Sequence, residues 1–112
     1  MKSIVYAGSF DPPTNGHIDI VRRMVELFDN REIVVGIGKN YDKGKFDFNV
    51  RERTEMFRKA LSVYPELEKV KVVNFEGSLG GYAYENMATV LKGVRDTKDF
   101  EYEKNQFETI EM

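Results

Sequence analysis

The sequence of 112 residues predicts one α/β domain, residues 1–112, built on a parallel sheet. Three observations predict it. Short β-branched and aromatic runs recur along the chain and read as buried strands. Between them lie stretches whose apolar residues repeat at helical spacing. Gly, Pro and Asn punctuate the joints. Strands alternating with helices imply right-handed crossovers, hence a Rossmann-like, three-layer arrangement.

Ser3-Ile4-Val5-Tyr6-Ala7 is the first strand, bounded by Gly8. Gly8 permits positive φ or a close backbone approach. Pro12-Pro13 enforces an extended or turn segment, and Thr14, Asn15 or Gly16 caps the next helix. Ile18, Ile20, Val21, Met24, Val25, Leu27 and Phe28 recur along that helix. Residues 32–38 form the second strand, and the polar segment 39–47, with Lys39, Lys43 and Lys45, is a loop. Asn49 caps a helix through Arg53, Met56, Phe57, Ala60 and Leu61, which Pro65 closes. Residues 70–75 are the third strand, Gly77, Gly80 and Gly81 mark a loop, and a helix from Tyr82 to Asn86 leads to strand 88–91. The tail from Phe100 onward is helical in pattern.

Composition bounds the function. Hydrophobic residues make up 41% and charged residues 32%, as in ordinary globular domains. A net charge of −2 argues against a general nucleic-acid binder. With no cysteine and one histidine there is neither a disulfide nor a zinc site, and no metal ligand is assigned. No apolar run spans a membrane and no signal peptide is seen, so the expected location is cytoplasmic.

The densest signal is the run from Tyr6 to His17. It follows a strand and opens a helix, where backbone N–H groups and the helix dipole favour phosphate. It also holds the single histidine. In the first helical turn the positive helix end favours neutral imidazole, which can donate one hydrogen bond to a phosphoryl oxygen. In parallel α/β sheets ligands bind beyond the strands' carboxyl ends. Ser9, His17, the 39–45 lysines, Gly77–Gly81 and Lys92–Arg95 all follow strand ends.

Gly8-Ser9-Phe10-Asp11-Pro12 with Thr14-Asn15-Gly16-His17 resembles the nucleotidylyltransferase superfamily, and most closely the bacterial phosphopantetheine adenylyltransferases. Phe48-Asn49-Val50-Arg51-Glu52-Arg53 is similar to that family's helix start. Ala88-Thr89-Val90-Leu91-Lys92-Gly93-Val94-Arg95 followed by Asp99-Phe100-Glu101-Tyr102-Glu103 resembles a further family block, in the right order. The resemblance runs from residue 3 to about 107 and lacks the family's C-terminal triphosphate-binding segment. A fragment, a short natural relative and a half supplied by another chain all fit that shortening.

The resemblance implies transfer of AMP from ATP to 4′-phosphopantetheine, giving dephospho-coenzyme A and pyrophosphate. A nicotinate- or nicotinamide-mononucleotide adenylyltransferase, or a catalytically incomplete nucleotide-binding module, are the alternatives. It implies that His17 and Lys43 are catalytic. Lys45 and then Lys39 are the next candidates for the loop lysine. Ser9, Lys43, Lys92 and Tyr6 would contact the acceptor, and Lys92 stands where the family has arginine. Gly8, Ser9, Phe10, His17, Gly93, Arg95 and Glu103 would hold the nucleotide. Mg2+ would accompany ATP without a carboxylate cage, and a homohexamer is implied. Asp11 is expected to shape its loop through local backbone hydrogen bonds, and Arg51 and Arg53 to be surface ion-pair partners.

Overall fold

A computed structural model describes residues 3–28, 30–38, 47–75 and 88–92. The elements are β1 (Ile4–Gly8), α1 (Asn15–Leu27), β2 (Ile33–Gly38), α2 (Val50–Leu61), a 3-10 turn (Pro65–Leu67), β3 (Lys71–Phe75) and β4 (Thr89–Lys92). Each expected strand is present within a residue or two of its predicted span. The helix expected at Tyr82–Asn86 and the helical tail lie outside the described residues.

All three strand pairings are parallel, and the sheet order is β3-β2-β1-β4. Tyr6 pairs with Val35 on one side and Leu91 on the other, and Ala7 pairs with Gly36 and Lys92. The strand order therefore reverses at β1. Chain leaving β1 crosses to one side, and β4 arrives on the other. In sheets of this kind ligands bind outside the carboxyl ends of the strands at such a reversal, so the glycine loop stands at the expected ligand position.

The strand period of two splits the sheet residues between two faces. Ile4, Tyr6, Ile33, Val35 and Ile37 share one buried cluster with Ile20, Val21 and Met24 of α1 and Phe57 and Leu61 of α2. Both described helices thus cover the same face. Val5, Ala7 and Val34 form the opposite core, against Val73, Ala88 and Val90. The third layer expected over that face lies outside the described residues. Burying Ile20, Val21 and Met24 completely contributes about 1.5–3 kcal/mol per side chain, which binds α1 to the sheet and fixes where its N-terminus points.

Candidate active site

The chain leaves β1 through Gly8 and Ser9 and turns at Phe10, whose φ is 52°, a left-handed backbone on a non-glycine residue. Sequence reasoning offered positive φ to Gly8, and the structure assigns it to Phe10. That conformation costs about 1–2 kcal/mol. Ring burial offsets it. Phe10 is 5% exposed and meets Tyr6, Phe57 and His17 edge-on, with ring centroids 5.1, 4.9 and 4.9 Å apart. Gly8 serves this packing: a Cβ there would lie 3.1 Å from the tip of the Phe10 ring. The Asp11–Pro12 peptide bond that follows is cis.

Thr14 is the N-cap of α1, and His17 stands at its third helical position. The Thr14 side chain accepts from the His17 N–H at 3.3 Å, and His17 Nδ1 accepts from the Thr14 N–H at 2.9 Å. This is a capping box with imidazole in the place usually held by Glu or Gln. An Nδ1 that accepts a backbone N–H carries no proton, so the geometry assigns the neutral tautomer with hydrogen on Nε2. Burial against Phe10 lowers the His17 pKa below the ordinary histidine value, which keeps the ring neutral. Among the described residues Nε2–H has no hydrogen-bond partner. The sequence expectation of a neutral, singly donating histidine in the first turn thus gains a physical cause that spacing could not supply. One edge of the ring caps the helix and the other is left to donate.

Two residues that sequence reasoning treated as ordinary hold this loop in place. Arg53 is 2% exposed, which corrects the expectation of a surface ion-pair partner. Its Nε donates to the Phe48 carbonyl at 3.0 Å, and its Nη1 donates to the Ser9 carbonyl at 2.7 Å and the Gly38 carbonyl at 3.4 Å. Burial draws the Arg53 pKa down, and the nearby Asp11 carboxylate opposes that effect. Asp11 is also corrected. Its carboxylate accepts the backbone N–H groups of Asp47 at 2.8 Å and Phe48 at 2.9 Å, so its partners are 36 and 37 residues away rather than local. The sequence did carry a signal for Arg53. It sits three residues after Val50 and four before Phe57, on the stripe that continues to Leu61, so an arginine lies on the buried face.

Gly8, Ser9, Phe10 and His17 come together as expected, at the β1–α1 junction. Ser9 is exposed. Tyr6 was expected to touch the acceptor, but it is fully buried beneath Phe10 and His17. In this structure its ring supports the floor of the site, because an alternating strand sends residue 6 into the helix-covered core. The Phe10 ring is likewise part of the core, so only its backbone could serve the nucleotide contact the sequence expected of it. The Phe10 N–H has no hydrogen-bond partner among the described residues. Lys92 ends β4 in register with Ala7, beside the loop, and its side chain lies outside the described part. Lys39, Lys43, Lys45, Gly93, Arg95 and Glu103 also lie outside the described residues.

A parallel sheet whose order reverses at a glycine loop, with the Phe10 N–H and His17 Nε2–H unpartnered among the described residues, defines an α/β domain of Rossmann-like type. The cytidylyltransferase-like family profile matches residues 5–110, and the chain belongs to that family. It is 44% identical to the phosphopantetheine adenylyltransferase of Clostridium botulinum, over 92% of this chain and 62% of that protein. Identity is 42% to the phosphopantetheine adenylyltransferase of Carboxydothermus hydrogenoformans, over 92% of this chain and 60% of the relative. The Francisella tularensis subsp. novicida enzyme of the same name is 40% identical, over 91% and 60%. The chain therefore spans about 60% of the length of these curated relatives. Among solved structures, the lipopolysaccharide core biosynthesis protein of Thermoplasma volcanium shares the fold, with a TM-score of 0.52 at 23% identity, over 79% of this chain and 70% of that one.

Proposed function

We propose that this chain carries out adenylyl transfer from ATP to 4′-phosphopantetheine, with dephospho-coenzyme A and pyrophosphate as products. The observation that carries the reading is the His17 tautomer: a neutral imidazole, held by Thr14, with Nε2–H unpartnered among the described residues at the positive end of α1. The curated relatives named phosphopantetheine adenylyltransferase supply the choice of acceptor.

The chemistry asks little of the protein beyond placement and charge neutralisation. An oxygen of the acceptor phosphate attacks the α-phosphorus in line. The bond from that phosphorus to the bridging oxygen breaks, and pyrophosphate leaves. Negative charge on the non-bridging α-oxygens is met by hydrogen bonds, with His17 Nε2–H as a donor that keeps its proton throughout. Because Nδ1 is already occupied by the Thr14 N–H, the ring cannot rotate away without breaking its helix cap. The Phe10 N–H is the second donor in this reading, and Ser9 lies next to it. Lys43, Lys92, Gly93, Arg95 and Glu103 belong to the same proposal on the strength of the motif resemblance. Among the described residues no three His, Cys, Asp or Glu side chains converge to hold a metal ion. In the proposed mechanism magnesium enters as the counter-ion of substrate ATP. A homo-oligomeric assembly is part of the same proposal and is measurable by sedimentation equilibrium.

The test is pyrophosphate release by the purified chain with MgATP, with 4′-phosphopantetheine or nicotinate mononucleotide as acceptor. Release with the first and formation of dephospho-coenzyme A are expected. Release only with the second would replace the acceptor. ATP binding with no release under either condition would leave a nucleotide-binding module and sink the enzyme reading.

A further inference from the structure

Arg53 is a buried guanidinium with three hydrogen bonds to backbone carbonyls on three separate segments: Ser9 after β1, Gly38 at the end of β2, and Phe48 before α2. A buried charge is an expensive way to hold two helices and a sheet together, and well-packed apolar side chains do that at least as well. What a planar fork provides and an apolar side chain does not is direction. The shortest of these three hydrogen bonds, 2.7 Å, is to the Ser9 carbonyl.

That contact sets the plane of the Ser9–Phe10 peptide. In a trans peptide the carbonyl and the N–H on the same plane point in opposite directions. With the Ser9 carbonyl drawn inward to Arg53, the Phe10 N–H is turned away from it. This is the N–H with no partner among the described residues. It belongs to the residue whose ring meets the His17 ring at 4.9 Å. The left-handed φ at Phe10 is costly for a non-glycine residue; the buried ring holds it from one side, and Arg53 ties the preceding peptide from the other. Asp11 adds a second tie one residue further on, to the backbone of Asp47 and Phe48.

We propose that Arg53 is a positioning residue for phosphate binding: it orients the Ser9–Phe10 peptide so that the Phe10 N–H faces the phosphoryl group that His17 also contacts. The inference rests on the adenylyl-transfer reading for the ligand. His17 itself is held separately, by Thr14, so the two donors are controlled by different residues.

The experiment is titration of the 15N-labelled chain with ATP. Affinity is read together with the shifts of the Phe10 amide and of the His17 ring, in the parent, Arg53→Lys and Arg53→Met. In the parent ATP moves both signals. In the variants about a tenfold loss of affinity is expected, the size of one hydrogen bond to a charged group. At saturating ATP the His17 signal still moves while the Phe10 amide shift is lost, a selective change that general loosening of the fold does not produce. Variants with the parent's affinity and the parent's Phe10 shift overturn the inference and leave the functional reading standing. A parent chain in which ATP moves neither signal overturns the functional reading and this inference with it. If neither Arg53 variant folds, Asp11→Asn decides: a weakened Phe10 shift supports the hold on this loop, and parent-like behaviour overturns it.

Discussion

Replacing His17 by Ala and by Glu separates its two jobs, because they reside on opposite edges of one ring. Nδ1 completes the helix cap, and Nε2–H is assigned to the α-phosphoryl oxygen. Alanine removes both. It forfeits the bond from the Thr14 N–H at 2.9 Å, worth about 1 kcal/mol, and the edge contact with Phe10, worth about 0.5–1.5 kcal/mol. A loss of roughly 1.5–2.5 kcal/mol of folding stability follows. Glutamate is the usual third residue of a capping box, so it restores the bond to the Thr14 N–H. It also places a negative charge at the helix start, worth about 0.3–1 kcal/mol. His17→Glu should therefore be more stable than His17→Ala by about 1–2 kcal/mol. For turnover the order reverses. Both variants lose the donor, at a cost of about 100- to 1000-fold in kcat, and the carboxylate additionally repels ATP. Urea unfolding gives the first ranking and pyrophosphate release the second. If glutamate proves both the more stable and the more active variant, activity follows the cap rather than the donor, and the role assigned to Nε2–H is wrong.

Three further outcomes are expected. The His17 pKa is lowered by burial, so the unfolded chain binds the proton more readily than the folded one. The histidine's contribution to stability is then complete above about pH 6.5, the unfolded value, and is lost as pH falls toward the folded one. The stability difference between parent and His17→Ala, followed by urea unfolding, should shrink on acidification, and a difference that grows instead contradicts the assignment. Gly8→Ala puts a methyl group 3.1 Å from the Phe10 ring and should cost about 1–3 kcal/mol while displacing that ring from His17; an unchanged urea midpoint would show that the ring has room. Asn49→Ala removes the N-cap of α2, where the side chain accepts from the Glu52 N–H at 2.8 Å, and should cost about 0.5–2 kcal/mol, most of it recovered by Asn49→Asp. Equal losses in the two Asn49 variants would put the effect somewhere other than the cap.

Much of the fold was legible because its signals are local. The four strands are short apolar runs, and the two described helices begin where Thr14 and Asn49 offer a capping oxygen. Alternation of the two element types required a parallel sheet, and a parallel sheet puts the expected ligand position beyond the carboxyl end of β1. His17 was legible for the same reason, since its place in the first turn depends on a few neighbours. Tyr6, Asp11 and Arg53 were misread because their roles are set by distant partners. Strand alternation sends Tyr6 into the helix-covered core, and Asp11 meets backbone 36 and 37 residues further along. Arg53 meets a carbonyl 44 residues away.

By itself, then, the amino-acid order determined which of the described segments are strands and which are helices, and it pointed to the first strand–helix junction as the place to expect phosphate. Those choices follow from backbone propensity and apolar period, which act over one or two turns of chain. Tertiary structure alone decided which edge of the imidazole is free, why a phenylalanine adopts a left-handed backbone, and what aims the peptide before it. The imidazole edge is set by a three-residue cap whose geometry only coordinates reveal, whereas the Phe10–Phe57 ring contact and the Arg53–Ser9 bond exist only after remote segments have been brought within about 3–5 Å of one another.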